Sequence, residues 1–264
     1  MHPFFSNPAH RVFAHRGGSG LAPENTTAAF DNGLALGADG LELDVHLSRD
    51  GVVVVHHDRL LDRTTNLTGP VAARDASELD RADAAFHFRL GDTCPYRGKG
   101  FGVPRLPDVL ARYRDVPIIV ELKVNSTEMA EAVVRVVRRA DAVDRVCIGA
   151  FGLTALRTVR RLEPAIATSA AREEVRLALY RSWCRWPVQQ PPYEGFQVPE
   201  VSGRTRVVTD RFVADAHRAD LGVQVWTVNT AEAASRLLGF GVDALITDRP
   251  DIIVPLARGH RIGR

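Results

Sequence analysis

Apolar positions recur along this chain with two periods, and the two alternate from one end to the other. Short β-branched or alternating runs predict strands over residues 11–14 (RVFA), 40–46 (GLELDVH), 52–56, 117–123 (PIIVELK), 145–150, 165–168, 195–198, 223–228 and 243–247. Helical spacing predicts a helix over 26–36, carrying Phe30, Leu34 and Leu36, and clear amphipathic segments over 127–139 and 230–238. Repeated strand-then-helix units imply parallel strands joined by helical crossovers. About eight such units in roughly 250 residues suit an α/β fold of the (β/α)8 TIM-barrel type. An open doubly wound sheet would carry a Gly-rich phosphate turn opening straight into its first helix. Here His15-Arg16-Gly17-Gly18-Ser19-Gly20 leads instead into a Pro-containing loop. Residues from about 60 to 105 break the alternation with scattered Gly, Pro, Asp and Arg, so they are expected to form an insertion in one domain spanning 1–264. Barrels carry such insertions on their βα loops, the side that holds active sites.

Alternation along a strand sorts the chemistry. In GLELDVH, Leu41, Leu43 and Val45 share one face and Glu42, Asp44 and His46 the other. The apolar face must meet the surrounding helices, so Glu42 and Asp44 should point into the barrel. Two carboxylates that close need a cation or a shared proton, which predicts a divalent metal, and oxygen ligands favour Mg²⁺ or Ca²⁺ over zinc. PIIVELK repeats the pattern, placing Glu121 as a third candidate ligand and Lys123 beside it as a fixed positive charge. Salt-bridged carboxylates at strand ends would give the same pattern at one strand, less readily at two. His15 ends the first strand and His56-His57 ends the run VVVV, but adjacent strand residues face opposite ways, so only one of His56 and His57 can serve a common site. Two histidines near a metal suit general acid and base catalysis.

Composition narrows the function classes. The 264 residues are 45% hydrophobic, with 34 basic and 32 acidic side chains for a net charge of +2. That excludes general disorder and a summed positive field for nucleic acid. No apolar run reaches the ~18 to 20 residues of a membrane span, and the start lacks the pattern of a secretory signal, so a cytoplasmic protein is expected. Cys94, Cys147 and Cys184 are odd in number and form no CxxC pair, which argues against a disulfide framework or zinc cage and for packing roles. Lys99 and Lys123 are the only lysines.

The runs AHRGGSGLAPENTTAAF, ELDVHLSRDGVVVVHHDRLLDRTTNLTG, IIVELK, VWTVN and GVDALITDRPD together resemble the glycerophosphodiester phosphodiesterase family from about residue 12 to 254. The resemblance implies a TIM barrel with a small insertion after the second barrel strand. It implies His15 and His57, rather than His56, as the catalytic pair; Glu42, Asp44 and Glu121 as ligands of Mg²⁺ or Ca²⁺; and Arg16 and Lys123 on the phosphate. Trp226 would line the substrate pocket, and Asn25 lies in the PENT motif without an assigned role. The implied activity is metal-dependent hydrolysis of a small-molecule glycerophosphodiester to an alcohol and glycerol 3-phosphate. His15 is expected as base and His57 as acid. One alternative is a lysophospholipase D-like hydrolase of lysophospholipids, with Phe86, Phe88, Tyr96 and Phe101 available to an acyl chain. A remoter one is a non-catalytic barrel that binds phosphate ligands; it would be expected to lack a histidine or a carboxylate, and none is missing.

Overall fold

A computed structural model describes residues 2, 4–5, 10–186 and 191–262. The aliphatic runs become β1 (Arg11–His15), β2 (Gly40–Leu47), β3 (Val53–Val55), β4 (Ile118–Leu122), β5 (Val146–Ala150), β6 (Ala167–Thr168) and β7 (Gly195–Pro199). A hairpin of β8 (Val201–Ser202) and β9 (Thr205–Arg206) follows, then β10 (Gly222–Trp226) and β11 (Ala244–Thr247). The helices are α1 (Thr27–Ala35), α2 (Ala76–Asp80), α3 (Leu106–Arg112), α4 (Thr127–Arg139), α5 (Leu153–Leu162), α6 (Arg172–Cys184), α7 (Asp210–Arg218), α8 (Ala231–Gly239) and α9 (Pro250–Ile262). Parallel pairing runs in the order β6-β5-β4-β2-β1-β11-β10-β7. A parallel bridge between Ser169 and Gly195 then joins β6 to β7, so the strands close into the expected barrel. Among the described residues no helix is long and apolar enough to cross a membrane.

The strand at 52–56 is not part of the barrel wall. Ser48 donates to Asp50 Oδ1 (2.6 Å) and accepts from the Val52 N–H (2.9 Å), closing a turn at Gly51. That turn folds β3 back antiparallel to β2, with Val55 opposite Val45. A continuous β-branched run such as residues 52–55 reads like a buried barrel strand in sequence, which is why composition alone does not separate the two. The return has a consequence for function: the His56 N–H donates to the Asp44 carbonyl (2.9 Å), bringing the His-His pair level with the strand's carboxylates. From there to α3 the chain holds only a 3-10 turn at Val71–Ala73 and the short α2. This stretch packs on an apolar cluster of its own, built on Val54, Leu61, Val71, Leu79 and Val103.

The wall separates two kinds of packing. Leu41, Leu43 and Val45 of β2 and Ile118, Val120 and Leu122 of β4 face the helices, against Met129, Val133 and Val137 of α4. Phe13, Ile119, Cys147, Ala167, Ala244 and Ile246 fill the interior together with Phe4 and Phe5. Cys147 therefore packs as expected, whereas Cys184 is exposed at the end of α6. Phe5 fits because β7 and β10 both start on glycine: a Cβ on Gly195 would sit 2.5 Å from its ring, and one on Gly222 2.6 Å. Gly195→Ala is expected to lower unfolding free energy by about 1–3 kcal/mol through overpacking. Urea denaturation measures this, and an unchanged midpoint would refute the packing role.

Candidate active site

The carboxyl ends of the strands open on a cleft of about 780 Å³. His15, Arg16, Glu42, Asp44, His57, Glu121, Lys123 and Trp226, the residues expected above for catalysis, metal and substrate in a glycerophosphodiester phosphodiesterase, line it. Strand register explains the convergence. His15 is opposite Glu42 across β1 and β2, and Asp44 is opposite Glu121 across β2 and β4. Glu121 is in turn opposite Gly149, where a Cβ would approach Glu121 Oε2 to 2.7 Å, so glycine on β5 leaves that carboxylate its room.

The β1–α1 turn is shaped for close approach. Arg16, Gly17 and Gly18 have φ of 51°, 87° and 94° in succession. A Cβ on Gly17 would lie 2.7 Å from the Ala29 backbone of α1, so glycine is required there both for its dihedral and for the contact. The turn aims the Arg16 N–H at Glu42 Oε2 (3.0 Å) and its guanidinium at Glu24 Oε1 (3.1 Å) and Asp44 Oδ2 (3.3 Å).

Three carboxylates in so little space are electrostatically uneasy. Burial, and then the charge of Asp44, push Glu42 up to about 7. Burial pushes Glu121 up to about 8, in spite of Lys123. Asp44 is the exception: burial opposes its charge, but Lys123 Nζ at 3.3 Å and Arg16 outweigh it and hold the pKa below the ordinary value. Asn25, itself at φ 57°, clamps Asp44, donating from Nδ2 to Oδ2 (2.9 Å) and accepting the Asp44 N–H on Oδ1 (3.3 Å). Glu121 Oε1 is buried with no hydrogen-bond partner among the described residues. No group of three or more His, Cys, Asp or Glu among the described residues is arranged to hold a metal ion as the side chains stand. In donor chemistry they nonetheless fit a hard divalent cation: all-oxygen, buried, mutually repelling, with one oxygen unpaired.

Each cleft histidine is oriented by its own aspartate. His15 Nδ1 donates to Asp248 Oδ1 (2.6 Å), leaving Nε2 facing the carboxylates, 3.8 Å from Glu42 Oε2. His57 Nδ1 donates to Asp58 Oδ1 (2.6 Å). Asp58 also receives Arg63 Nε (2.6 Å), whose two other nitrogens bond Glu24 at 2.7 Å each, so an ion-pair chain runs from His57 to Arg16. His46 Nε2 donates to the His57 carbonyl (3.1 Å), while His56 turns away and bonds the Leu60 carbonyl (3.2 Å). Of the His-His pair, only His57 reaches the cleft. The imidazoles titrate in opposite directions. Burial works against a charge on His15, but Glu42 and Asp248 outweigh it and raise its pKa. On His57 burial prevails, with Arg16 and Lys123 adding to it, and the pKa falls.

Asp248 escaped the sequence reading, although it lies in the run ITDRP at the end of β11. It also accepts from Ser19 Oγ and from Asn229 Nδ2 (2.7 Å), and against the effect of burial these donors, His15 foremost, bring its pKa down to about 2. Nor did the sequence place the outer wall of the cleft. Phe86, Phe88, Tyr96 and Phe101 do not line it: Tyr96 packs edge-on to Phe88 and Phe101, and Arg97 covers the Phe86 ring. That wall comes instead from Val175, Leu179, Tyr180 and Trp183 of α6. Trp226 meets Phe151 edge-on at 6.0 Å, and both rings line the cleft.

Comparison with known proteins agrees with this geometry. The chain is 37% identical to the uncharacterized protein YqiK of Bacillus subtilis, over 91% of this chain and 96% of that one. It is 33% identical to the glycerophosphodiester phosphodiesterase of Bacillus altitudinis, over 93% and 97% respectively. A phosphodiesterase of Oleispira antarctica, solved in complex with the product sn-glycerol-3-phosphate, superimposes with a TM-score of 0.76 at 26% identity, covering 95% of this chain and 97% of that one. Residues 15–252 match the Glycerophosphoryl diester phosphodiesterase family, and the chain belongs to that family.

Proposed function

We propose that this chain is a metal-dependent glycerophosphodiester phosphodiesterase that releases an alcohol and glycerol 3-phosphate by acid–base catalysis at His15 and His57. The observation that carries the reading is the pair of His–Asp couples flanking three buried carboxylates in one cleft. Glu42, Asp44 and Glu121 would hold a divalent cation, Mg²⁺ or Ca²⁺, which when bound offsets charge developing on the phosphoryl oxygens. Arg16 and Lys123 border the same space and would bind the phosphate, a compact ammonium and a forked guanidinium at its edge. One imidazole would take a proton from the attacking hydroxyl and the other would give one to the departing alcohol. Asp248 and Asp58, by accepting from Nδ1, keep each Nε2 directed into the cleft. With no cation on Glu42, the opposed titration directions favour a proton on His15 and none on His57, the reverse of the division expected from the sequence. Trp226 and Phe151 would border the substrate.

A lysophospholipase D-like activity is the second reading, supported by the apolar wall that α6 adds to the cleft. Turnover of glycerophosphocholine and lysophosphatidylcholine, measured side by side with Mg²⁺ or Ca²⁺ present, separates the two. The first reading expects a kcat/KM at least tenfold higher on glycerophosphocholine, and a preference for the lysolipid would overturn it in favour of the second.

Asp248→Asn tests the orienting role. It keeps the side-chain shape but can present an N–H to His15, turning the ring to the wrong tautomer. A kcat loss of about 10²-fold or more with KM little changed is expected, of the size a lost acid–base group gives. An unchanged kcat would remove Asp248 from the mechanism.

A further inference from the structure

Four large apolar side chains are exposed within ten residues at the end of α6. Leu177, Tyr180, Trp183 and Trp186 are 52%, 60%, 60% and 65% exposed. Their spacing of three residues puts Leu177, Tyr180 and Trp183 on one flank of the helix, while Ala178, Leu179 and Ser182 are buried on the other. Arg185 caps the helix at φ 59°, and the Trp186 N–H donates back to the Arg181 carbonyl (2.8 Å), which ties the backbone of the last tryptophan to the final turn. Concentrated exposure of this kind is unusual for a surface with no partner.

Positive charge prevails around it. From 172 to 186 the sequence REEVRLALYRSWCRW holds Arg172, Arg176, Arg181 and Arg185 against Glu173 and Glu174, and Glu174 is taken up by Arg160 (2.7 Å). Among the described residues, none of the Arg176, Arg181 and Arg185 guanidiniums forms a side-chain hydrogen bond or an ion pair. Tryptophan and tyrosine interleaved with arginine on one helix flank is the composition that suits a lipid–water interface, where rings sit among headgroups and guanidiniums meet lipid phosphates. A two-fold contact between copies would set the three guanidiniums against their own duplicates, which disfavours self-association. Arg176, Tyr180 and Trp183 also line the cleft, so the patch is continuous with its mouth.

We propose that the α6 flank docks the protein on an anionic phospholipid surface, with the cleft opening at the headgroup layer. This inference stands apart from the reaction assigned above, because it rests on the outer flank and is read by binding. The test is co-sedimentation of the full chain with vesicles of phosphatidylglycerol or of phosphatidylcholine alone, at low salt. Partitioning onto phosphatidylglycerol is expected to exceed that onto phosphatidylcholine at least tenfold, with a blue shift of tryptophan emission. Leu177→Ser with Trp186→Ser, neither lining the cleft, should lower it at least tenfold, as should Arg181→Glu with Arg185→Glu. Circular dichroism checks that the variants fold, and turnover of soluble glycerophosphocholine should not change. Equal binding to both vesicles, or binding indifferent to both double variants, overturns the proposal. So does a dimer in light scattering that the Leu177 and Trp186 substitutions abolish while vesicles bind nothing.

Discussion

Replacing His57 with alanine is expected to lower kcat on glycerophosphocholine by about 10²- to 10⁴-fold, the range of a lost proton transfer. His15→Ala should cost a similar factor. Both side chains sit at the rim of the cleft rather than in the packed wall, so the melting temperature of each variant should stay near that of the parent. The two variants should differ when the leaving group changes. A p-nitrophenyl ester departs without being protonated, so the variant that has lost only the acid recovers most of its rate, whereas the one that has lost the base does not. The raised pKa of His15 and the lowered pKa of His57 favour recovery in His15→Ala. The same directions set the sign of the pH profile. A base that must be deprotonated limits the rate on the acidic side of the ordinary histidine value of 6.5, through His57. An acid that must be protonated limits it on the alkaline side, through His15. Recovery in His57→Ala instead would restore the division expected from sequence.

Chelation should abolish turnover, and the same step should destabilise the fold. Glu42 and Glu121 are pushed up to about 7 and about 8 by burial and by their neighbours, which is the cost of keeping carboxylates together without a counter-charge. A cation that binds only the native state adds about 2.7 kcal/mol at a hundredfold excess over its Kd. Thermal unfolding with and without EDTA should therefore show a clear drop in Tm. Glu121→Gln removes the charge and with it the repulsion, so the drop should shrink and the activity should fall with it. A Tm that ignores chelation in the parent protein would remove the cation from the account.

How much of this was legible before the structure depends on sequence distance. Glu42 and Asp44 could be placed inward because Leu41, Leu43 and Val45 had to face the helices, and a strand leaves the other face no choice. Glu121 and Lys123 followed by the same alternation. Asp248 could not be found this way: it meets His15 only because β11 closes against β1, across 233 residues of chain. Arg63 and Glu24, which tie His57 to Arg16, are likewise joined by two loops that share no period. The β3 run looked like a barrel strand because a hairpin return buried on both faces is as continuously β-branched as a barrel strand. The aromatics between 86 and 101 looked available for a ligand, yet aromatic spacing does not reveal that the rings pack against each other. Helix α6 was hidden for the opposite reason, since its outward Leu, Tyr and Trp have the spacing that elsewhere marks a core-facing stripe.

Phosphorus NMR of the products formed from glycerophosphocholine, with Mg²⁺ or Ca²⁺ supplied, tests the central claim most directly. Glycerol 3-phosphate appearing as the phosphorus-containing product, with its formation stopped by EDTA, is the predicted result. Phosphocholine in its place, or no turnover with either cation, would contradict it.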